Sequence, residues 1–223
     1  MKKIVFINGG RGASEILPYF QNNLFNITSI VNAYDDGKST GILRDYFKTL
    51  GPSDLRKVMK LMLDKNDSDY LVKINLFDCR FPNKKNEYIL NELSKFVKYF
   101  DNKIFNTKYL SDKLSKFIVI KLKKFINYYK LYKSINKYDL IFSDLSLINC
   151  IFITLILEND FKLDVALKKF LKAFNIKSKL LINSNLIRHL VGLRDSGKFL
   201  SSEAEIVEKR SNIKLSRIFL LKN

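Results

Sequence analysis

The stretch that decides the fold is NAYDDGKSTGILRDYFKTLGPSDLR, which runs from Asn32 to Arg56. It contains two adjacent carboxylates, a Gly-Lys-Ser-Thr-Gly run and a second acidic turn at residues 51–54. Chains concentrate glycine, aspartate, serine and threonine in this way where the backbone approaches a ligand closely. We therefore expect the rest of the chain to hold these turns against each other.

Two short apolar runs lead into this stretch, Lys3–Ile7 and Asn26–Val31. Their β-branched residues predict buried, parallel strands. A short helix is predicted between them over Ala13–Phe20, and further helices are predicted from Ser39-Thr40 and from Asp54. Because strand, helix, strand begins a βαβ unit, the turns after both strands should lie on one edge of a parallel sheet.

Residues 85–140 change in character, because lysine and aromatic residues alternate there at helical intervals. We interpret them as a helical insertion, of two or three helices, within a single domain that covers residues 1–223. The later part predicts a buried helix, an amphipathic helix and four short strands. These are, in order, Leu145–Leu157, Leu163–Phe174, Lys179–Asn183, Leu186–Leu193, Glu203–Glu208 and Leu215–Leu221, with a hairpin turn at Asp195-Ser196-Gly197.

The net charge of +18 suggests an anionic partner, such as nucleic acid, phosphate or a membrane surface. The alternative explanation is a bias of the coding sequence towards lysine, which would place these charges on solvated surfaces without a partner. Cys79 and Cys150 lack the spacing of a disulfide framework or a zinc site. No apolar run is long enough to span a bilayer and no signal peptide is evident, so we expect a cytoplasmic protein.

The turn Gly9-Gly10-Arg11-Gly12 follows a predicted strand and precedes a predicted helix. Backbone N–H groups and the helix dipole hold phosphates at such positions, although a tight structural turn is the alternative. The dinucleotide pattern G-x-G-x-x-G fails at its last position, which is Glu15. An acid after the second strand, Asp35 or Asp36, keeps a dinucleotide site open as a weaker alternative.

The run Gly37-Lys38-Ser39-Thr40 suggests a P-loop at first sight. That motif needs a glycine five positions earlier, where this chain has Asn32. The lysine also follows two carboxylates directly, which would repel a triphosphate in the absence of a metal ion. We therefore exclude the P-loop.

Asp35, Asp36 and Asp54 stand on neighbouring predicted loops. Carboxylates so placed hold a hard cation such as Mg²⁺, which in turn orients phosphate oxygens. The alternative is that these aspartates cap the helices that follow them. Arg44 and Arg56 follow the two acidic turns, where they either clamp an anionic ligand or lie solvated on helix surfaces.

His189 is the single histidine, so mechanisms built on a Ser-His-Asp triad or on histidine metal ligands are excluded. We expect it to pack within its strand. The basic, aromatic stretch Lys103–Lys137 has the composition of a nucleic-acid-binding surface. Core aromatic residues and solvated lysines explain it more simply, so we do not expect nucleic-acid binding.

Taken together, GGRG after the first strand, IVNAYDDGKSTGILR after the second, and GPSDLRKVM resemble the 2-phospho-L-lactate transferase (CofD) family, including its YvcK-like branch. DLSLIN at 144–149 and LRDSGKFLSSEAEIV at 193–207 are similar to later family segments. The resemblance implies an α/β, Rossmann-like three-layer fold that binds a nucleotide diphosphate or a nucleotide sugar. It implies Mg²⁺-assisted phospholactyl transfer in one branch and a non-catalytic regulatory role in the other.

By position, the resemblance assigns phosphate or nucleotide binding to the glycine-rich and serine-bearing turns, and cation binding above all to Asp36 and Asp54. Arg11 and Lys38 replace the family's usual threonine and glycine, and they add positive charge near the phosphate. The complete predicted binding set is Gly9, Gly10, Arg11, Gly12, Gly37, Lys38, Ser39, Thr40, Gly41, Arg44, Arg56 and Asn149, with Asp35, Asp36 and Asp54 for the metal.

The family continues past a strand like Leu215–Leu221 into a Gly-Pro-Gly-Ser loop that helps to hold the phosphates. The sequence given ends at Asn223, which leaves a fragment, a split gene product and a diverged member as alternatives. Homodimerisation is also left open as a source of the missing contacts. No residue is identified as a general base.

Overall fold

The first two strands of the chain lie side by side and parallel, as the sequence predicts. In this computed structural model, which describes residues 2–21, 24–106, 110–208 and 212–222, strand β1 is Lys2–Asn8, β2 is Phe25–Val31 and β3 is Lys179–Ile182. They form a parallel sheet in the order β1-β2-β3, in which Val31 pairs with both Asn8 and Ile182. The turns after β1 and β2 therefore leave the sheet at the same edge.

Three later strands form a separate antiparallel sheet in the order β5-β4-β6. They are β4 (His189–Arg194), β5 (Phe199–Leu200) and β6 (Leu215–Leu221). The hairpin turn predicted at Asp195-Ser196-Gly197 is present, since Gly197 N–H donates to the Arg194 carbonyl at 2.9 Å, and it joins β4 to β5, a strand that the sequence does not predict. Gly197 has a φ of +78°, a left-handed conformation that favours glycine.

Nine helices are described in the same ranges, and they supply most of the core. They are α1 (Gly10–Phe20), α2 (Lys38–Phe47), α3 (Ser53–Leu61), α4 (Tyr70–Asp78), α5 (Asn86–Tyr99), α6 (Asp112–Ile135), α7 (Leu147–Leu157), α8 (Leu163–Ala173) and α9 (Glu203–Glu208). Helix α7 is buried from Leu147 to Ile156 and packs against α6 and α8. The predicted buried helix is thus confirmed, and it forms the centre of the molecule.

The lysine-rich stretch contains the two helices α5 and α6. Its aromatic residues do pack inwards, since Phe96, Phe125 and Tyr129 are all buried. The division into one domain with an insertion at 85–140 stays a prediction. None of the helices in the described part of the chain combines the length and the apolar composition of a membrane-spanning segment.

The strand predicted over Glu203–Glu208 is wrong, because this segment is helix α9. The physical reason lies in the residues before it. Ser202 Oγ accepts a hydrogen bond from the N–H of Glu205 at 3.1 Å, and the Glu205 carboxylate accepts one from the N–H of Ser201 at 2.8 Å. A serine followed three residues later by a glutamate is a helix-starting sequence, and two acids in the first turn favour the helix dipole.

Candidate functional site

The glycine turn after β1 lies directly against the start of α3. A Cβ atom on Gly10 would lie 2.6 Å from Asp54 Oδ1 and would also overlap the side chain of Lys57. A Cβ on Gly9 would lie 3.0 Å from Asp54 Oδ2. Only glycine allows this approach, so the first and third turns of the sequence meet at the Asp54 carboxylate, which Lys57 Nζ contacts at 3.1 Å.

The second turn lies equally close to the third. A Cβ on Gly51 would overlap the Asp35 carbonyl oxygen and the Thr40 side chain. The hydroxyls of Thr40 and Ser53 form a buried hydrogen bond, and Asn149 Nδ2 donates to Ser53 Oγ at 3.0 Å. The first turn of helix α7 is therefore tied to the same point as the two loops.

A fourth acidic residue, Glu203, joins these turns from the far end of the chain. Its backbone N–H donates to Asp36 Oδ2 at 3.0 Å, so α9 begins against the acidic turn. Glu203 is not among the site residues that the sequence predicts. The signal for it is the SSEAEIV run, which resembles a family segment, but the strand predicted there does not indicate that Glu203 reaches the acidic turn.

We call Asp35, Asp36, Asp54 and Glu203 the acidic edge, because their charges act on one another. Burial, followed by the charge of Asp54, raises the pKa of Asp35. Burial raises the pKa of Glu203 to about 7, helped by the charges of Asp35, Asp36 and Asp54 and by the hydrogen bond to Asp36. Within the described part of the chain, Asp35 Oδ2 is buried without a hydrogen-bond partner. Such mutual repulsion is relieved by a proton or by a cation.

The acidic edge offers only part of the ligand shell that a Mg²⁺ ion needs. Within the described ranges, no three carboxylate, histidine or cysteine side chains stand close enough together to hold an ion by themselves. Magnesium ions bound together with phosphates typically take one or two carboxylates and complete their shell with water and phosphate oxygens. The unpaired Asp35 oxygen and the raised pKa of Glu203 are consistent with that arrangement.

The N-cap position of neither helix is an aspartate. Gly37 stands at the N-cap of α2 and Pro52 at that of α3, and neither residue makes a side-chain capping bond. Asp54 lies inside the first turn of α3, so its predicted N-cap position is wrong. For Asp35 and Asp36, capping of α2 stays an alternative to cation binding.

Arg44 and Arg56 lie next to the acidic edge but bond to the backbone. Arg44 donates to the carbonyls of Tyr34 at 2.9 Å, Asp35 at 3.1 Å and Arg188 at 2.8 Å. Arg56 donates to the Phe77 carbonyl at 2.8 Å, and burial lowers the pKa of both guanidinium groups. These bonds hold the turns in place, and a direct contact of either arginine with a ligand stays a prediction.

The remaining predicted residues are spread along the same loops. Gly41 needs to be glycine, because a Cβ there would lie 2.6 Å from the Asp36 carbonyl oxygen. Ser39 is buried, whereas a Cβ on Gly12 would meet nothing within 4 Å. The side chains of Arg11 and Lys38 lie outside the part of the chain that the structure describes.

His189 lies in β4, as predicted, and is half-buried. It lines a cleft of about 640 Å³ together with Arg44, Asp45, Lys48, Thr49 and Ile187. Since none of the four acidic-edge side chains lines this cleft, we treat it as separate from the candidate site.

A family model described as 2-phospho-L-lactate transferase CofD matches residues 4–223. The gluconeogenesis factor of Bacillus subtilis is 36% identical over 95 residues, which cover 43% of this chain and 28% of that protein. The gluconeogenesis factor of Listeria innocua is 37% identical over 79 residues, which cover 35% of this chain and 23% of the relative. The matched segments thus span less than a third of these relatives.

A crystal structure of protein BH3568 from Bacillus halodurans has a similar fold. The TM-score is 0.64 at 21% sequence identity, and the match covers 99% of this chain and 51% of that one. A second crystal structure of the same protein describes it as a member of the UPF0052 family. The likeness confirms the predicted α/β fold class, and this chain spans about half the length of the solved protein.

Proposed function

Because the chain belongs to the 2-phospho-L-lactate transferase CofD family, we propose that its acidic edge binds a nucleotide-linked phosphate ligand together with Mg²⁺. The observation that carries this proposal is the contact between the Asp54 carboxylate and the backbone of Gly9 and Gly10. It brings a carboxylate next to the N-terminus of α1, where N–H groups without intrahelical partners can donate hydrogen bonds to phosphate oxygens.

The charges of the site explain why both components are needed. A phosphate alone would be repelled by Asp35, Asp36, Asp54 and Glu203, and a cation alone would leave the α1 N–H groups unused. When bound, Mg²⁺ would neutralise charge on the phosphate oxygens. Asp36 and Asp54 are the residues we expect to hold it, and Glu203 would give up its proton as the cation binds, because its pKa is raised to about 7.

Phospholactyl-type group transfer is the reaction that the family description names. The second candidate function is a regulatory protein that binds a nucleotide sugar and transfers nothing. The matches to gluconeogenesis factors favour this second candidate. Both candidate functions would use the same loops and the same cation to bind a nucleotide-linked ligand. They would differ in whether the bound ligand is turned over.

Isothermal titration calorimetry tests the shared part of the proposal. We expect guanosine diphosphate or a uridine diphosphate sugar to bind in the presence of Mg²⁺ and to bind weakly after chelation. Asp36→Asn should weaken Mg²⁺-dependent binding by about ten- to a hundredfold, since a contact to a charged group contributes roughly 1.5–3 kcal/mol.

The matched control is Asp160→Asn, which removes the same charge at an exposed position that bears a left-handed backbone well suited to asparagine. It should bind like the wild type. Absence of binding to either ligand class with Mg²⁺ would overturn the proposal. Turnover of a nucleotide donor that carries a phospholactyl group would select the transferase over the regulatory protein.

A further inference from the structure

Helix α6 carries a row of lysines on its outer surface. The helix runs for 24 residues, which corresponds to about 36 Å at 1.5 Å per residue. One side is buried through Leu114, Ile118, Leu122 and Phe125. The lysine stripe, defined as Lys113, Lys116, Lys123 and Lys130, recurs at intervals of three and seven residues, which places all four on one side of the helix.

The stripe is not neutralised by the protein itself. The other lysines of α6 are paired: Lys121 and Lys124 contact Glu158 at 2.6 and 2.5 Å, and Lys133 contacts Asp139 at 2.7 Å. The four stripe lysines are exposed, and among the described residues they form no ion pair. The only acid within α6 is Asp112 at its first position.

Apolar side chains stand between these lysines. Ile120 is 51% exposed and Leu131 is 53% exposed, and helical spacing places both on the side of the stripe. Ile135, one turn beyond Leu131, is 67% exposed. The aromatic rings of the helix are not exposed: Phe125 and Tyr129 are buried, and Phe117, Tyr128 and Tyr132 are half-buried and pack against the core.

We propose that the lysine stripe docks the protein onto a membrane surface rich in anionic lipids. Lysine ammonium groups attract lipid phosphates and carboxylates, and Ile120 and Leu131 enter the boundary between headgroups and acyl chains. Nucleic acid is the less suitable polyanion, because this face presents neither arginine for bidentate phosphate contacts nor exposed aromatic rings for base stacking. The inference is independent of the function proposed for the acidic edge.

Vesicle co-sedimentation of the full chain tests the proposal. The protein should bind phosphatidylcholine vesicles that contain phosphatidylserine and should not bind pure phosphatidylcholine vesicles. The triple variant Lys116→Glu, Lys123→Glu, Lys130→Glu should weaken binding about a hundredfold or more, since each lysine near such a surface is worth roughly fivefold. Circular dichroism should show an unchanged helical content, because all three side chains are exposed.

A matched triple variant, Lys84→Glu, Lys168→Glu, Lys172→Glu, makes the same change in net charge at exposed positions outside α6 and should retain binding. The double variant Ile120→Ser, Leu131→Ser should weaken binding to vesicles. It should not change any retention that the wild type shows on duplex DNA. Three results would overturn the proposal: an equal loss in both triple variants, no preference for phosphatidylserine, or binding to duplex DNA or RNA that the stripe variant abolishes while vesicles are not bound.

Discussion

Helix α7 buries ten consecutive residues from Leu147 to Ile156, whereas the acidic edge brings carboxyl groups together, and burial with neighbouring negative charges raises the pKa of Asp35 and Glu203. The helix consists almost entirely of apolar side chains that pack against α6 and α8, and its Phe152 joins an aromatic cluster with Phe170 and Phe174. The acidic edge contains a buried carboxylate oxygen with no partner in the described part of the chain. One region stabilises the fold, and the other is the region that we propose binds a cation and a phosphate ligand.

A hydrogen bond links α7 to the loops of the acidic edge, since Asn149 in the first turn of α7 donates to Ser53, the neighbour of Asp54 at the start of α3. The difference between them indicates that burial of the apolar helices offsets the free-energy cost of holding like charges together at the acidic edge. Buried apolar groups contribute about 0.8 kcal/mol per methylene, while partly buried like charges oppose folding. Substitutions should therefore change stability in one region and ligand binding in the other.

The largest expected effect is in the helical core. Phe152 is fully buried and stacks edge-on against Phe170 at 5.3 Å between ring centroids. Phe152→Ala should lower the free energy of unfolding by about 3–5 kcal/mol, because the cavity cannot be refilled by neighbours. Urea denaturation measures this loss. Leu131→Ala, at an exposed position, should change the value by less than about 0.5 kcal/mol, and an equal loss in both variants would contradict the account of the core.

A smaller effect on stability is expected where the second and third turns of the sequence meet. Gly51→Ala should destabilise the fold by about 1–3 kcal/mol and abolish ligand binding, because the new Cβ overlaps the Asp35 carbonyl oxygen. The matched variant Gly12→Ala adds a methyl group to a helical position with nothing within 4 Å, so stability should be equal or higher. Thermal denaturation compares the two variants. Wild-type stability in Gly51→Ala would show that the second and third turns do not pack as described.

Part of this arrangement could be predicted from local sequence. The β-branched runs identify β1 and β2, and the glycine and aspartate turns after them identify the edge at which the site forms. The antiparallel pairing of β4 with β6 was not predicted, because it depends on contacts between residues distant in sequence, such as Val191 and Phe219. Helix α4 was also missed, since apolar residues in Tyr70–Asp78 occur all around the helix and give no amphipathic signal.

The residues of the candidate site could likewise be predicted only where they lie close together in sequence. Asp35, Asp36 and Asp54 are close together in sequence and were selected from their turns, and the structure brings their loops together. Glu203 lies 167 residues beyond Asp36, and its contribution depends on tertiary packing alone. The buried backbone bonds of Arg44 were likewise invisible, because a sequence does not show which carbonyl groups a guanidinium will reach.

The smallest expected effect is a pH dependence that arises at the acidic edge. The folded protein holds a proton on Glu203 more tightly than the unfolded chain does, since its pKa is raised from 4.5 to about 7. This contribution is fully present below pH ~4.5 and is lost as the pH rises through ~7. After allowance for solvent screening we expect a loss of about 1 kcal/mol between these values in metal-free buffer.

Glu203→Gln should flatten this slope, whereas Glu87→Gln, an exposed position in α5, should preserve it. Urea denaturation at a series of pH values with a chelator present measures both slopes. A wild-type stability that rises between pH 4.5 and 7 by the amount that Glu203→Gln removes would show that the sign assigned to Glu203 is wrong.

The most direct test of the cation site is a titration with Mn²⁺ in place of Mg²⁺, followed by electron paramagnetic resonance in the presence of guanosine diphosphate. We predict that the wild type and Asp160→Asn bind the ion alike, and that Asp36→Asn and Asp54→Asn each bind it at least about tenfold more weakly. Equal Mn²⁺ binding by all four proteins, or none by any of them, would contradict the claim that the acidic edge holds a cation and a phosphate together.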